Sequence, residues 1–202
     1  MPRPPGFERN DVLQRATEVF WRRGYGATSV SDLVTATGLK PGSIYAAFGS
    51  KKGLFLEVLE QYHCDFLRAV DQLLATADSP LHAVETLFRD VAAKTLDDAD
   101  ARGCLAVNAL LEMAHHDEDV VSNLQQGNER LRRKLEGLLD AAKANGELDN
   151  SADTAQLSAF LLNNLWGMRV LCKSRPTAAA LDGIVNGVLS ALSAAGADRT
   201  RH

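Results

Sequence analysis

Cys104 is the residue in this 202-residue chain best placed for covalent chemistry. It stands in Arg102-Gly103-Cys104-Leu105-Ala106-Val107-Asn108, near the predicted start of a helix and two residues from an arginine. A helix N-terminus and a neighbouring cation both favour the thiolate, the form that attacks electrophiles and peroxides. The plainer reading of the same residue is a small apolar side chain in a core. Cys64 and Cys172 lie inside long apolar stripes with no comparable activation. His115 and His116 follow, so a helical-bundle enzyme using Cys104 with His115 or His116 is one function class to weigh. Glu112-Met113-Ala114-His115 has the Glu-x-x-His spacing of di-iron bundles. Such a site needs a second copy of the motif and two further glutamates, which the sequence lacks. No metal site and no cofactor is therefore expected.

A second kind of chemistry, recognition of DNA, is written between Gly24 and Lys51. Ser29 can cap a helix over Val30–Thr37, with Asp32 three residues on as in a capping box. Gly38 follows as terminator, and Pro41 suits the first turn of a second short helix. Leu33, Val34, Leu39, Ile44 and Phe48 can meet in one small core, which leaves Lys40, Gly42, Ser43, Tyr45 and Ala46 on the exposed face. Two short helices around a tight turn, the second with small residues and a lysine at its start, form a helix-turn-helix. Ser43 and Lys40 can donate to base edges, and Gly42 permits close backbone approach to a duplex. Thr28 or Ser29 at a helix N-terminus, with Tyr45 and Lys51, suit phosphates. A protein that binds DNA architecturally, without sequence preference, is the third function class.

The order of residues resembles the DNA-binding domain of the TetR family of bacterial transcriptional repressors. Phe20, Gly24, Tyr25, Thr28-Ser29-Val30 and Ala36-x-Gly38-Leu39 carry the likeness, with Gly42-Ser43-Ile44-Tyr45-x-x-Phe48-Gly49-Ser50-Lys51-x-x-Leu54-Phe55 above all. It is dense from Asp11 to Phe55. The resemblance implies a dimeric regulator that binds a palindromic double-stranded operator and is released by a small-molecule or thiol-reactive effector. Pro41 stands where lysine is frequent in the family, and Ala46-Ala47 where larger polar residues occur. These departures predict fewer side-chain hydrogen bonds from the helix centre and more reliance on methyl contacts and DNA shape. Gly-Cys-Leu-x-x-Asn at Gly103–Asn108 also resembles a segment of family members, some of which respond to oxidants through that cysteine.

The elements that must position these residues read as helix throughout. Helices are predicted over Glu8–Arg23, Lys51–Ala77, from Ser79-Pro80 to Leu96, Arg102–Ala114, onward from His116–Asp119 to Asn145, Asp153–Ser174 and Thr177–Ala195. The fold class is all-α, with a three-helix DNA-binding domain over 1–50 and a helical effector-binding and dimerisation domain over 51–202. Net charge is −4, but residues 1–52 carry +4 and the remainder −8, so a basic head sits on an acidic body. Arg130-Leu131-Arg132-Arg133-Lys134 has Glu129 and Glu136 beside it and reads as a solvated helical face. Three widely spaced cysteines make a disulfide framework implausible, and no stretch has eighteen uninterrupted apolar residues. A soluble cytoplasmic protein with no membrane partner is expected.

Tyr62, Phe66, Cys104, Leu105, Asn108, Met113, Phe160, Asn164, Trp166 and Met168 mix apolar walls with amides, as effector pockets do. For each one, a plain core role competes with ligand contact. In the last helix Gly183, Gly187 and Ala191 recur every fourth residue beside Ile184 and Val188. Glycine inside a helix costs about 1 kcal/mol against alanine, so the ridge implies close packing of another helix. These five residues are the expected dimer interface.

Overall fold

The computed structural model describes residues 8–196. Among the described residues there are nine α-helices and no strand. α1 (Arg9–Arg23), α2 (Val30–Thr37) and α3 (Pro41–Phe48) are followed by the long α4 (Lys51–Thr76) and by α5 (Pro80–Leu96). α6 (Leu105–Met113), the long α7 (Glu118–Ala144), α8 (Thr154–Leu171) and α9 (Ala178–Gly196) follow.

Local chemistry explains most of the boundaries. Ser29 accepts from the Asp32 amide while the Asp32 carboxylate accepts from the Ser29 amide, a complete capping box. Ser79 caps α5 through the His82 amide, and Asp153 caps α8 through the Gln156 amide. Gly38 ends α2 in the left-handed conformation at φ 72°. α6 begins three residues later than the apolar pattern predicts. Ala101 and Gly103 both have positive φ, at 50° and 71°, which holds residues 101–103 out of the helix.

The chain divides into two compact units. The first takes the residues up to Asp65 together with Cys104–Gly127. Val12, Ala16, Phe20, Leu33, Ile44, Phe48, Leu54, Phe55 and Leu59 pack there with Leu105, Ala106, Ala109, Met113, Val120 and Leu124. Phe20, Tyr25 and Phe55 form an aromatic cluster in it, with centroids 4.8 and 4.9 Å apart for Phe20–Phe55 and Tyr25–Phe55. The second unit takes Phe66–Gly103 and the residues from Asn128 onward. Its core is built from Val84, Leu87, Phe88 and Val91 of α5, Leu135 and Leu139 of α7, Leu161, Leu165 and Met168 of α8, and Leu181, Val185, Val188 and Leu192 of α9.

In this unit Glu129 receives the guanidinium groups of Arg132 and Arg133, and Arg132 also reaches Glu136, as expected for a helical face of i,i+3 and i,i+4 pairs. Arg132 and Arg133 together lower the Glu129 carboxyl to about 2.

Candidate nucleic-acid interface

The helix-turn-helix folds as its sequence dictates. Leu33 of α2 and Ile44 and Phe48 of α3 are buried, and Phe48 also receives the Arg9 guanidinium 4.4 Å from its ring centroid. Burying Ile44 and Phe48 turns the opposite side of α3 outward. Lys40, Pro41, Gly42, Tyr45 and Ala46 are exposed there, and Ser43 is half-buried. Tyr45 keeps 49% of its surface exposed, a large fraction for an aromatic residue with no internal role. A Cβ placed on Gly42 would meet nothing within 4 Å, so its bareness matters only toward an outside partner.

Two residues expected at phosphates have other partners. Thr28 is buried, and its hydroxyl donates to the Gly24 carbonyl at 2.6 Å. The Lys51 ammonium donates to the carbonyls of Tyr25 at 2.9 Å and Thr28 at 2.8 Å. Both side chains therefore secure the turn between α1 and α2, and neither head group points outward. Ser29 remains exposed, with its hydroxyl engaged in the capping box.

Glu112 is the residue that the sequence reading missed. Its spacing to His115 suggested only a metal motif. Here the carboxylate accepts from the amides of Tyr25 at 2.9 Å and Gly26 at 2.6 Å. A contact across 87 residues leaves no local signal; the one clue was a Gly-Tyr-Gly turn bare enough for a side chain to approach. Lys52 makes a comparable long-range link to Asp117 and Asp119, at 3.1 and 2.7 Å. Asp117 also accepts from the amides of Asp119 and Val120 at the start of α7. Burial alone would raise the Asp117 carboxyl, but Lys52 and those amides hold it below its usual range.

Cys104 is the N-cap residue of α6, half-buried, and the Tyr62 hydroxyl lies 3.6 Å from its sulfur. Tyr62 stands edge-on to Trp21 at 5.3 Å. The arginine expected to activate this thiol has another partner: Arg102 pairs with Asp98 at 3.1 Å. His115 and His116 are exposed beyond the far end of α6, a nine-residue helix about 13 Å long. The Cys104–histidine pair required by the enzyme reading is not assembled. Among the described residues no group of three or more His, Cys, Asp or Glu could hold a metal ion.

The expected effector residues divide between the units. Tyr62, Cys104 and Asn108 belong to the first, and Phe66, Asn164, Trp166 and Met168 to the second. Met168 lies in the core of the second unit at 0% exposure. Phe66 and Trp166 pack partly buried against the same core. The Asn164 amide donates to the Phe160 carbonyl of its own helix.

Asp98 organises the segment after α5 within the second unit. It accepts from Arg102, the Gly103 amide and the Cys172 thiol, and Arg169 reaches the Gly103 carbonyl and the Thr95 hydroxyl. Burial would raise the Asp98 carboxyl, but these donors hold it low; burial, then Asp98, push the Cys172 thiol up.

α9 has two faces. Val188 is 1% exposed inside its own unit, which corrects its assignment to a dimer interface. Gly183 and Gly187 are exposed, with nothing within 4 Å of a Cβ on either, and Ile184 and Ala191 are half-buried. By length and composition α9 could cross a membrane, and only 22% of Ala178–Ala195 is buried within the chain.

Comparison with known proteins agrees with this geometry. Residues 12–58 match bacterial regulatory proteins of the tetR family, and residues 80–188 match the tetracyclin repressor-like C-terminal domain. The HTH-type transcriptional repressor ComR of Escherichia coli K12 is 32% identical over 169 residues, 83% of this chain and 80% of ComR. The uncharacterised HTH-type regulator YezE of Bacillus subtilis 168 is 28% identical, over 86% of this chain and 90% of its own. A cysteine mutant of the TetR family regulator CifR, solved with 26-bp double-strand operator DNA, superposes with a TM-score of 0.83. It is 35% identical, over 94% of this chain and 99% of that one. The chain is a DNA-binding transcriptional regulator and belongs to the TetR family of bacterial regulatory proteins.

Proposed function

We propose that the chain is a cytoplasmic repressor that binds a palindromic double-stranded operator as a homodimer. A small-molecule or thiol-reactive effector acting on residues 51–202 then releases it. The observation that carries this reading is the outward side of α3, where Lys40, Pro41, Gly42, Tyr45 and Ala46 are exposed above a core sealed by Ile44 and Phe48. A short helix with a lysine and small residues at its start fits a major groove. Lys40 and the half-buried Ser43 are the candidates for base edges, and Tyr45 and Ser29 for phosphates. Thr28 and Lys51 are left out of that set because their polar groups hold the turn.

One recognition helix reads few base pairs, so a symmetric dimer on two half-sites is the geometric counterpart. The open Gly183–Gly187 face of α9 supports a second copy as its cover. CifR bound to operator DNA and ComR as a repressor support the choice of partner and sign. For the effector, the half-buried Cys104 with the Tyr62 hydroxyl beside it supports a thiol-reactive or small polar compound.

The test is a fluorescence-anisotropy titration with duplex DNA from upstream of the chain's own coding sequence, against random duplex of equal length. Two chains per palindromic duplex and a preference of at least about 1000-fold over random DNA are expected. Equal affinity for both duplexes would replace this reading with the architectural one.

A further inference from the structure

The turn from α1 into α2 carries the reading head, and two distant side chains fix it. Lys51 takes the Tyr25 and Thr28 carbonyls, and Glu112 takes the Tyr25 and Gly26 amides. The Glu112 carboxylate approaches where side chains are absent on the turn. A Cβ on Gly26 would lie 2.9 Å from Oε1, and one on Gly24 would lie 2.7 Å from Oε2. Gly26 does not have a positive φ, so its bareness answers to the carboxylate and not to backbone conformation.

We propose that Glu112 is a positioning residue for DNA recognition: by gripping the Tyr25 and Gly26 amides it holds the turn, and so the helix-turn-helix, in the orientation that binds operator. The inference rests on the repressor reading above. Without the grip the turn samples more conformations, and ordering it on DNA is charged against affinity. Glu112 touches no base or phosphate in this scheme. Its effect is therefore on pre-organisation and not on contact number.

The experiment uses the full chain and the same upstream duplex, with urea unfolding measured on each sample. E112A and G26A should each weaken operator binding by about three- to tenfold, since a Cβ on Gly26 would lie 2.9 Å from Oε1 and force the carboxylate to shift from its hydrogen bonds with the turn. The slope of log K against log salt should match wild type, because no phosphate contact is lost. The double variant should bind no more weakly than E112A alone, the mark of one shared interaction. L111A, a change at the neighbouring, 74% exposed residue, should leave affinity unchanged. A folded E112A that binds operator as wild type does overturns the proposal, as does full additivity of E112A and G26A. If E112A does not fold, G26A against wild type decides alone. A wild-type chain that retains no duplex defeats the repressor reading itself, a result distinct from equal binding by wild type and E112A.

Discussion

The Lys51 ammonium lies 4.2 Å from the centroid of the Tyr25 ring and also donates to the Tyr25 carbonyl. A cation on an aromatic face, bonded to the backbone of the same residue, is a structural tie. It also separates two lysines that look alike in sequence: Lys51 faces inward and Lys40 outward.

The first prediction follows from that difference. Lys51→Met should lower stability by about 1–2 kcal/mol by leaving two carbonyls short of a donor, and should leave the salt slope of DNA binding unchanged. Lys40→Met should leave stability unchanged and flatten the slope by about one unit if it meets a phosphate, or relax specificity by about 1–3 kcal/mol at one base pair if it meets a base. Urea titration and salt-dependent anisotropy on both variants separate the roles. A flatter slope for Lys51→Met would return that lysine to the DNA.

The second concerns the bare face of α9. Within one chain, Gly187→Ala meets no atom and should stabilise the helix by about 1 kcal/mol. If a second copy packs closely there, the same change weakens association, and Gly187→Leu weakens it further. Sedimentation equilibrium over a dilution series reads the outcome. A fully dimeric Gly187→Leu protein would show that the partner lies elsewhere.

The third ranks the thiols. Cys172 is 1% exposed, and burial with the adjacent Asp98 carboxylate pushes its thiol up, so it should react slowest. Cys64 lies 3.5 Å from the Glu60 carboxylate inside the long α4, whereas Cys104 is the N-cap residue of α6 with the Tyr62 hydroxyl 3.6 Å from its sulfur. Partial alkylation with iodoacetamide and peptide mass spectrometry should find Cys104 labelled first. The same sample should show weakened operator binding. Labelling of Cys104 with affinity intact would favour a non-covalent effector.

The fourth is acid sensitivity. The folded-state pKa values of Asp98 and Asp117 lie below their unfolded values. Each therefore contributes stability that is fully present above about pH 4 and is lost as pH falls through the folded pKa. Stability should be flat near neutrality with respect to these groups and decline below about pH 4. Asp98→Asn should be less stable at pH 7 and show a shallower acid limb. An unchanged limb would mean that Asp98 gains nothing from Arg102, Gly103 and Cys172.

What the sequence made legible was local. Ser29 with Asp32, Ser79 and Gly38 announce helix ends within four residues, and apolar spacing fixes which sides of α2 and α3 are buried. The outward side of α3 followed directly, because burying Ile44 and Phe48 leaves Lys40, Gly42 and Tyr45 no other direction. What stayed hidden was the destination of polar groups whose partners are distant in sequence. Thr28, Lys51 and Glu112 have the chemistry of phosphate or metal ligands, and only tertiary structure reveals that backbone groups of one turn take them. Val188 was misplaced for a related reason: it lies one residue from Gly187, but a 100° step around α9 separates core from open surface.

The first unit's core is assembled from segments that are far apart in the gene. Phe20, Leu33 and Phe55 are emitted early by the ribosome, whereas Leu105, Ala109, Val120 and Leu124 emerge after an intervening stretch of about forty residues that packs elsewhere. At about 5–20 residues per second, the nascent reading head waits several seconds for the pieces that close it. A regulator of this build should not grip DNA until the residues up to Gly127 have emerged, so a nascent chain becomes DNA-competent only well past its midpoint.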